Sequence, residues 1–306
     1  MILVTGGTGL LGSFIVQELL RRGQNVRMLA RPAAAEQAHQ LGVEVVCGDL
    51  DNAESLRRAA SDVIGIVHAA CTFTRPAVDV AAMRTLLDAW EQGAFVFISS
   101  VDVYGYPERV PAEEDDRLVP SWPANNYGKA KVCCERLLQE AAQSKRRSDW
   151  SVLRPPHIWG PDPRSVKHRV SPVTQLYARI RQGEPVVLPG ATEEEWSHYG
   201  DDWIDARELA WAAAECLQRP LGAPANTINS HFSWHDVCME LKQHSRSNSQ
   251  IIHKDYDALT NEENPRKDFF AQRWSYSGQR LQQRLGFRPR YQWHETLAEI
   301  VRLDQL

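Results

Sequence analysis

The sequence predicts an α/β protein, a doubly wound parallel sheet followed by a smaller mixed α/β lobe toward the C-terminus. Three observations predict it. Short, fully apolar β-branched runs alternate with helical patterns through the first half of the chain. The first such run opens directly into a glycine-rich turn and a helix. Beyond about residue 155 the alternation gives way to a stretch rich in Pro and Arg, with helices and strands mixed.

Taken in order, Ile2-Leu3-Val4 is the first strand, and Leu10 to Arg22 carries apolar residues at helical spacing and stops at Gly23. Val26 to Ala30 is the second strand, Ala33 to Leu41 a helix closed by Gly42, and Val43 to Cys47 the third strand. Asp51 to Ala60 reads as helix, Val63 to Val67 as strand, Val80 to Glu91 as helix and Phe95 to Ile98 as strand. A helix follows around Tyr127 to Leu138, then a strand from Trp150 to Leu153. Fully apolar strands joined by helices need both sheet faces covered, which is the doubly wound arrangement. The second half predicts a helix from Pro172 to Gln182, a charged loop from Thr192 to Trp196 and an apolar helix from Asp205 to Leu217. A short strand at Thr227-Ile228, a helix capped by Ser233 and Asp236, and a terminal helix from His294 complete it. The expected division is residues 1–155 for a dinucleotide-binding domain and 156–306 for a substrate lobe, with part of the chain crossing back.

A chain of 306 residues buries roughly three quarters of its unfolded surface, so it needs no disulfide or metal to build a core. The net charge of -4 gives no broad attraction to phosphate backbones, which disfavours nucleic acid as a partner. No stretch approaches the roughly 20 apolar residues that span a bilayer, and Met1 to Val4 is already strand-like, without a charged leader and apolar region before it. The expectation is a cytoplasmic protein with no membrane partner. The six cysteines show no CxxC and no His/Cys ligand spacing and read as reduced core residues. His231 and His235 are four apart, but Ser233 caps a helix between them, so no metal site is expected.

Between the first strand and its helix lies Thr5-Gly6-Gly7-Thr8-Gly9-Leu10-Leu11-Gly12. Gly6, Gly9 and Gly12 provide a tight turn, close backbone approach and free N–H groups at a helix N-terminus, as a dinucleotide pyrophosphate requires. This makes the first domain a Rossmann-type fold. The second strand ends Leu29-Ala30-Arg31-Pro32 with no carboxylate to bond a ribose 2′-hydroxyl, so Arg31 favours the 2′-phosphate of NADP over NAD. Asp49, after the third strand, is placed to accept from an adenine amino group or to cap a helix.

The sequence resembles the extended short-chain dehydrogenase/reductase family, which includes nucleotide-sugar epimerases, dehydratases and dihydroflavonol-reductase-like ketoreductases. The resemblance runs through the Thr5 to Gly12 loop, His68-Ala69-Ala70, Ser99-Ser100 with Val103-Tyr104-Gly105, and Tyr127 to Lys131. It continues through Leu153-Arg154-Pro155 with Gly160-Pro161, Trp203 to Ala210, and Leu285-Gly286-Phe287-Arg288-Pro289. It implies cofactor contacts from Gly6, Thr8, Gly9, Leu10, Leu11, Arg31, Asp49, Leu50, Ala69, Ala70 and Pro155, together with Tyr127 and Lys131. A homodimer is compatible with it.

The catalytic set implied is Ser100, Tyr127 and Lys131. Tyr127 and Lys131 stand four apart on one helix face, a rise of about 6 Å. The Lys131 ammonium is expected to favour the phenolate, lowering a pKa ordinarily about 10, and to bond the nicotinamide ribose. Tyr127 then acts as general acid toward a carbonyl. By the family pattern the active serine lies four residues before Tyr104, which selects Ser100, whose hydroxyl orients the substrate oxygen, over Ser99.

Several positions depart from relatives. Sugar dehydratases follow the active hydroxyl with an Asp-Glu pair, whereas here Val101-Asp102 follows and one carboxylate remains. Nucleotide-sugar epimerases carry a diphosphate-binding arginine where this chain has Asp201, with Glu193, Glu194 and Glu195 nearby. Arg164, Lys167, Arg169, Arg179 and Arg181 are the cations available to compensate. Asp79 stands where relatives have an asparagine near the cofactor. His157 takes the place of a substrate-contacting asparagine and, with Trp159, Trp122 and Tyr104, is a candidate lining of an aromatic pocket, to which Thr72, Phe73 and Asp102 are weaker additions. The expected function is NADP-dependent hydride transfer to or from a carbonyl or secondary alcohol of a small molecule. The alternatives are a nucleotide-sugar 4-epimerase and a non-catalytic protein that senses NADP.

Overall fold

The computed structural model describes residues 1–120, 126–167 and 171–305. The first half alternates as the apolar pattern requires: β1 (Ile2–Thr5), α1 (Leu10–Arg21), β2 (Val26–Ala30), α2 (Pro32–His39), β3 (Glu44–Cys47), α3 (Ala53–Ala60), β4 (Gly65–His68), α4 (Pro76–Asp88), β5 (Ala94–Ile98), α5 (Asn126–Ser144) and β6 (Trp150–Arg154). β7 (His157–Trp159), α6 (Pro172–Arg181), β8 (Val186–Pro189), α7 (Glu193–His198), β9 (Gly200–Asp205), α8 (Ala206–Gln218) and β10 (Pro224–Asn226) follow. The chain ends with β11 (Ser230–Ser233), α9 (Trp234–Ser245), β12 (Ile251–Lys254), α10 (Lys267–Phe270), α11 (Gln279–Leu285) and α12 (Trp293–Asp304).

The chain divides into two compact units. The first comprises Met1–Pro155, Ala206–Thr227 and Ser277–Phe287. Its sheet has the order β10-β6-β5-β4-β1-β2-β3, with every neighbouring pair parallel. Leu11, Ile15, Val16 and Leu19 form the buried stripe of α1, and Gly23 ends that helix with φ +71°. On the opposite side Leu56, Leu86, Phe95, Leu138 and Val152 join one apolar cluster. The two faces of the sheet are thus both covered, and ligands of this architecture meet the carboxyl ends of the strands.

The second unit comprises Pro156–Asp205, Ile228–Tyr276 and Arg288–Leu306. It holds a three-stranded sheet, β11-β9-β7, antiparallel on one side of β9 and parallel on the other, and the parallel pair β12-β8. Its core packs Trp159, Trp203, Phe232 and Trp234 against the buried faces of α6, α9 and α12.

Three expectations change. Thr192 to Trp196 is not a loop: Thr192 caps α7, accepting from Glu195 N while the Glu195 carboxylate accepts from Thr192 N. Thr227-Ile228 is not a strand; these residues link β10 to β11, although Thr227 N still donates to Arg154 O at 3.1 Å. The helix expected from Val80 begins at Pro76, a residue suited to a first helical turn. Of the cysteines, all free, Cys134, Cys216 and Cys238 are buried as expected, whereas Cys71 and Cys133 are half-buried and Cys47 is exposed on the edge strand β3. Among the described residues no helix is long and apolar enough to cross a membrane.

Candidate active site

Gly6 turns the chain out of β1 with φ +75°, where glycine alone is unstrained. A Cβ there would lie 2.8 Å from Ala70 N, and one on Gly12 would lie 2.0 Å from Gly6 O, so both positions demand the missing side chain. Gly9 N donates to Gly6 O at 2.9 Å, and Gly9 itself is the exposed N-cap of α1. The first-turn N–H groups of that helix have no intrahelical partners and no acidic residue stands among them. Such a turn and helix end fit a pyrophosphate, which the fold's dinucleotide would present there.

The other expected cofactor residues lie around the same strand ends. Thr8 and Leu10 are half-buried and Leu11 is buried. Arg31 is exposed at the end of β2, as the residue preceding α2. Asp49 Oδ1 accepts from Leu50 N at 2.7 Å, and the cap of α3 is Asn52, which accepts from Ser55 N at 2.9 Å; the capping alternative for Asp49 is thereby taken by Asn52. Ala69 N donates to Thr5 O, and Ala70 N to Thr5 Oγ1, both at 3.3 Å. Pro155 is buried and its carbonyl accepts from Val101 N at 3.1 Å.

Ser100 emerges from the end of β5 and its hydroxyl accepts from Asp102 N at 3.1 Å. The Tyr127 phenol, in the first turn of α5, lies close enough to this hydroxyl for Ser100 to favour its ionised form. One turn further on, Lys131 is buried and donates from Nζ to Ile98 O at 2.8 Å, with Nζ 4.7 Å from the Phe97 ring centroid and 5.5 Å from that of Tyr127. The three expected residues are therefore brought together. The expected lowering of the phenol pKa is not: burial, followed by the nearby Cys71 and Asp102, pushes Tyr127 well above its ordinary value of 10, and Ser100 only partly opposes this. Beneath them His68 touches Thr5 Oγ1 through Nδ1 at 2.7 Å, and burial, with Lys131 beside it, lowers its pKa to about 3.

Tyr104 is not a pocket residue. Its hydroxyl is buried, accepts from Arg154 Nη1 at 2.8 Å and donates to Asn226 Oδ1 at 2.8 Å, and burial raises its pKa to about 12. Arg154 also donates from Nε and Nη2 to the two oxygens of Glu135, at 3.0 and 2.7 Å, and from Nη1 to Glu114 O at 2.9 Å. Burial opposes the guanidinium charge, but Glu135 outweighs it and Arg154 titrates above its usual range. Ser99, on the opposite side of the strand end from Ser100, donates to Glu135 Oε1 at 2.5 Å. Asp102 is half-buried in the short 3₁₀ turn that follows Ser100.

In the second unit His157 Nε2 lies 3.0 Å from Asp201 Oδ2, and its ring packs against Trp159, Phe232 and Trp234. Trp159 is 1% exposed and stacked against both Trp203 and Phe232, which makes it core, not lining. Asp201 is buried and also accepts from Asp202 N at 2.7 Å. Of the compensating cations, Arg164 pairs with Asp162, Lys167 and Arg181 both pair with Asp304, and Arg179 donates to Pro185 O. Trp122 and Arg169 lie outside the described residues. His231 pairs with Asp202, and His235 with His253, each at 2.9 Å.

The family model described as the NAD dependent epimerase/dehydratase family matches residues 2–229. The chain belongs to that family. A UDP-glucose 4-epimerase from Azospirillum brasilense is 32% identical over 195 residues, 58% of this chain and 55% of that enzyme, so the match spans little more than half of the relative. Cinnamoyl-CoA reductase 1 from rice, Oryza sativa, is 27% identical over 241 residues, 72% of this chain and 68% of that one. In fold, the chain is similar to UDP-glucose 4-epimerase from Thermotoga maritima, with TM-score 0.80 and 22% identity over 99% of this chain and 98% of that one.

Within this family member, sequence reasoning missed the buried set behind the candidate catalytic residues: Ser99, Glu135, Arg154 and Asn226. A signal for one of them exists. Lys131, Glu135, Leu138 and Ala142 all lie on the buried face of α5, so a carboxylate as well as Lys131 interrupts an apolar stripe. Its partner Arg154 stands 19 positions on, at the end of the next strand, and no helical spacing points to it.

Proposed function

We propose that this chain is an oxidoreductase that passes a hydride between nicotinamide and a carbonyl or secondary alcohol of a small molecule, using NADP in preference to NAD. The observation that carries the reading is the Ser100 hydroxyl beside the Tyr127 phenol, with Lys131 one turn along the same helix. The glycine turn and the α1 N-terminus would hold the pyrophosphate, and Arg31 would pair with a 2′-phosphate. When bound, the dinucleotide supplies or accepts the hydride. Tyr127 gives its proton to the carbonyl oxygen, and the buried, protonated phenol supports that direction. Ser100 orients the same oxygen. Lys131, anchored on Ile98 O, would have ammonium donors left for the nicotinamide ribose. His157 is a proposed substrate contact, and a homodimer is compatible with the reading.

A second reading, nucleotide-sugar 4-epimerisation, draws on the 32% identity to the Azospirillum enzyme. Against it, the position expected to hold a diphosphate-binding arginine is Asp201, a buried carboxylate already engaged with His157. Loss of reduced-cofactor absorbance across a panel of carbonyl compounds tests the first reading. Interconversion of UDP-sugars without net absorbance change would replace it with the second, and tight NADPH binding with neither reaction would leave a sensor.

A further inference from the structure

The loop from Cys71 to Arg75, between β4 and α4, holds Phe73 at φ +59°, a left-handed conformation that is unfavourable for a bulky side chain. The ring is 42% exposed, so core packing does not demand it. Its surroundings enforce it. Asp79, buried in the first turn of α4, accepts from Thr72 N at 2.8 Å and from the Thr72 hydroxyl at 2.9 Å. Arg75 N donates to Thr72 Oγ1 at 3.0 Å, and Thr74 N to Thr72 O at 2.7 Å. The effect is to lay the Phe73 ring on Tyr127, centroids 5.3 Å apart and planes 19° from parallel.

At Thr72 the loop turns its polar groups inward, toward Asp79. The Thr72 hydroxyl, a candidate substrate contact by sequence, is bonded to Asp79 and Arg75, and both Asp79 oxygens are engaged by Thr72. What this loop presents beside the proton donor is an aromatic face. A polyhydroxylated substrate needs donors and acceptors to replace its water, and a phenyl ring supplies none. A flat apolar group next to the reacting carbonyl would stack on it.

We propose that Phe73 is a specificity-determining residue that selects carbonyl substrates bearing an apolar, preferably aromatic, group beside the reacting carbonyl over polyhydroxylated ones. The proposal rests on the reading of carbonyl reduction given above. It is tested by measuring kcat/KM with NADPH for an aryl ketone, acetophenone, and a hydroxylated ketone, dihydroxyacetone. The variants are Phe73→Gly, which accepts the left-handed backbone, and Phe73→Asn, which tolerates it and replaces the ring with an amide. The expected result is that the wild-type protein prefers the aryl ketone and that both variants lower the aryl-to-hydroxylated ratio about tenfold, chiefly through KM for the aryl ketone. An unchanged ratio in a variant that melts at the wild-type temperature, or a wild-type preference for dihydroxyacetone, overturns the proposal while leaving carbonyl reduction standing. Absence of turnover of any carbonyl by the wild-type protein overturns the reaction reading and the proposal together.

Discussion

Glu135 and Arg154 form a bidentate ion pair, at 3.0 and 2.7 Å, in which both side chains are almost wholly removed from solvent. The pair joins α5 to the end of β6, and Ser99 adds the end of β5 to the same carboxylate. Lys131 lies one turn before Glu135 on α5 and Tyr127 two turns before it. The pair therefore fixes the register of the helix that carries Tyr127 and Lys131, the two candidate catalytic residues, against the strand that leads into Ser100.

Removing one partner strands a buried charge, which is far more destabilising than removing both. Glu135→Leu is expected to lose about 3–5 kcal/mol of stability by urea denaturation, and the double variant Glu135→Leu, Arg154→Met to recover part of that loss. A double variant less stable than the single one would show that Arg154 stabilises the fold through Tyr104 and Glu114 even without its carboxylate.

Burial holds the Tyr127 phenol protonated well above pH 10. The acid form needed for carbonyl reduction is then present throughout the neutral range, so kcat/KM for reduction is expected to stay level from about pH 7 to 9. Alcohol oxidation, which needs the base form, is expected to rise toward alkaline pH. Tyr127→Phe is expected to lower kcat for reduction by about 10²–10⁴. A wild-type reduction rate that falls steeply between about pH 7 and 8 would mean that the phenol ionises there.

Much of the first unit was legible because a two-sided buried sheet leaves largely apolar strands, and these recur at Ile2–Thr5, at Val26–Ala30 with Arg27 the one charged residue, and at Ala94–Ile98. β10 was not, since Pro224, Ala225 and Asn226 carry no strand pattern and join the sheet only through their pairing with β6. At Thr192 the capping signal was present, but three successive glutamates read as a solvated loop. Tyr127, Lys131 and Ser100 were recognisable from motif and spacing. What surrounds them was not: Tyr104 reads as the lining of an aromatic pocket until Asn226, 122 positions away, accepts a hydrogen bond from its hydroxyl. Local spacing carries no information about such partners.

At Gly12 a methyl group would sit 2.0 Å from Gly6 O, a backbone atom that cannot yield without opening the turn. Gly12→Ala is expected to abolish NADPH binding in a fluorescence titration and to lower the melting temperature. Arg31→Ala is expected to weaken NADPH about tenfold while leaving NADH nearly unchanged, the loss of one charge-assisted phosphate contact. Equal effects on the two cofactors would remove the 2′-phosphate role.

His68 offers a stability measurement independent of turnover. Its ring is 2% exposed between Thr5 and Phe97, and burial lowers its pKa to about 3 from an unfolded value of 6.5. The unfolded chain therefore binds a proton between those limits that the native protein refuses, so His68 contributes stability fully above pH 6.5 and loses it as the pH falls toward 3. From pH 7 to 5, above the range where most carboxylates titrate, this site alone is expected to remove about 2 kcal/mol. Urea midpoints measured across that interval should fall more steeply for the wild-type protein than for His68→Gln, which cannot take up the proton. Parallel pH dependences for the two proteins would assign the acid sensitivity elsewhere.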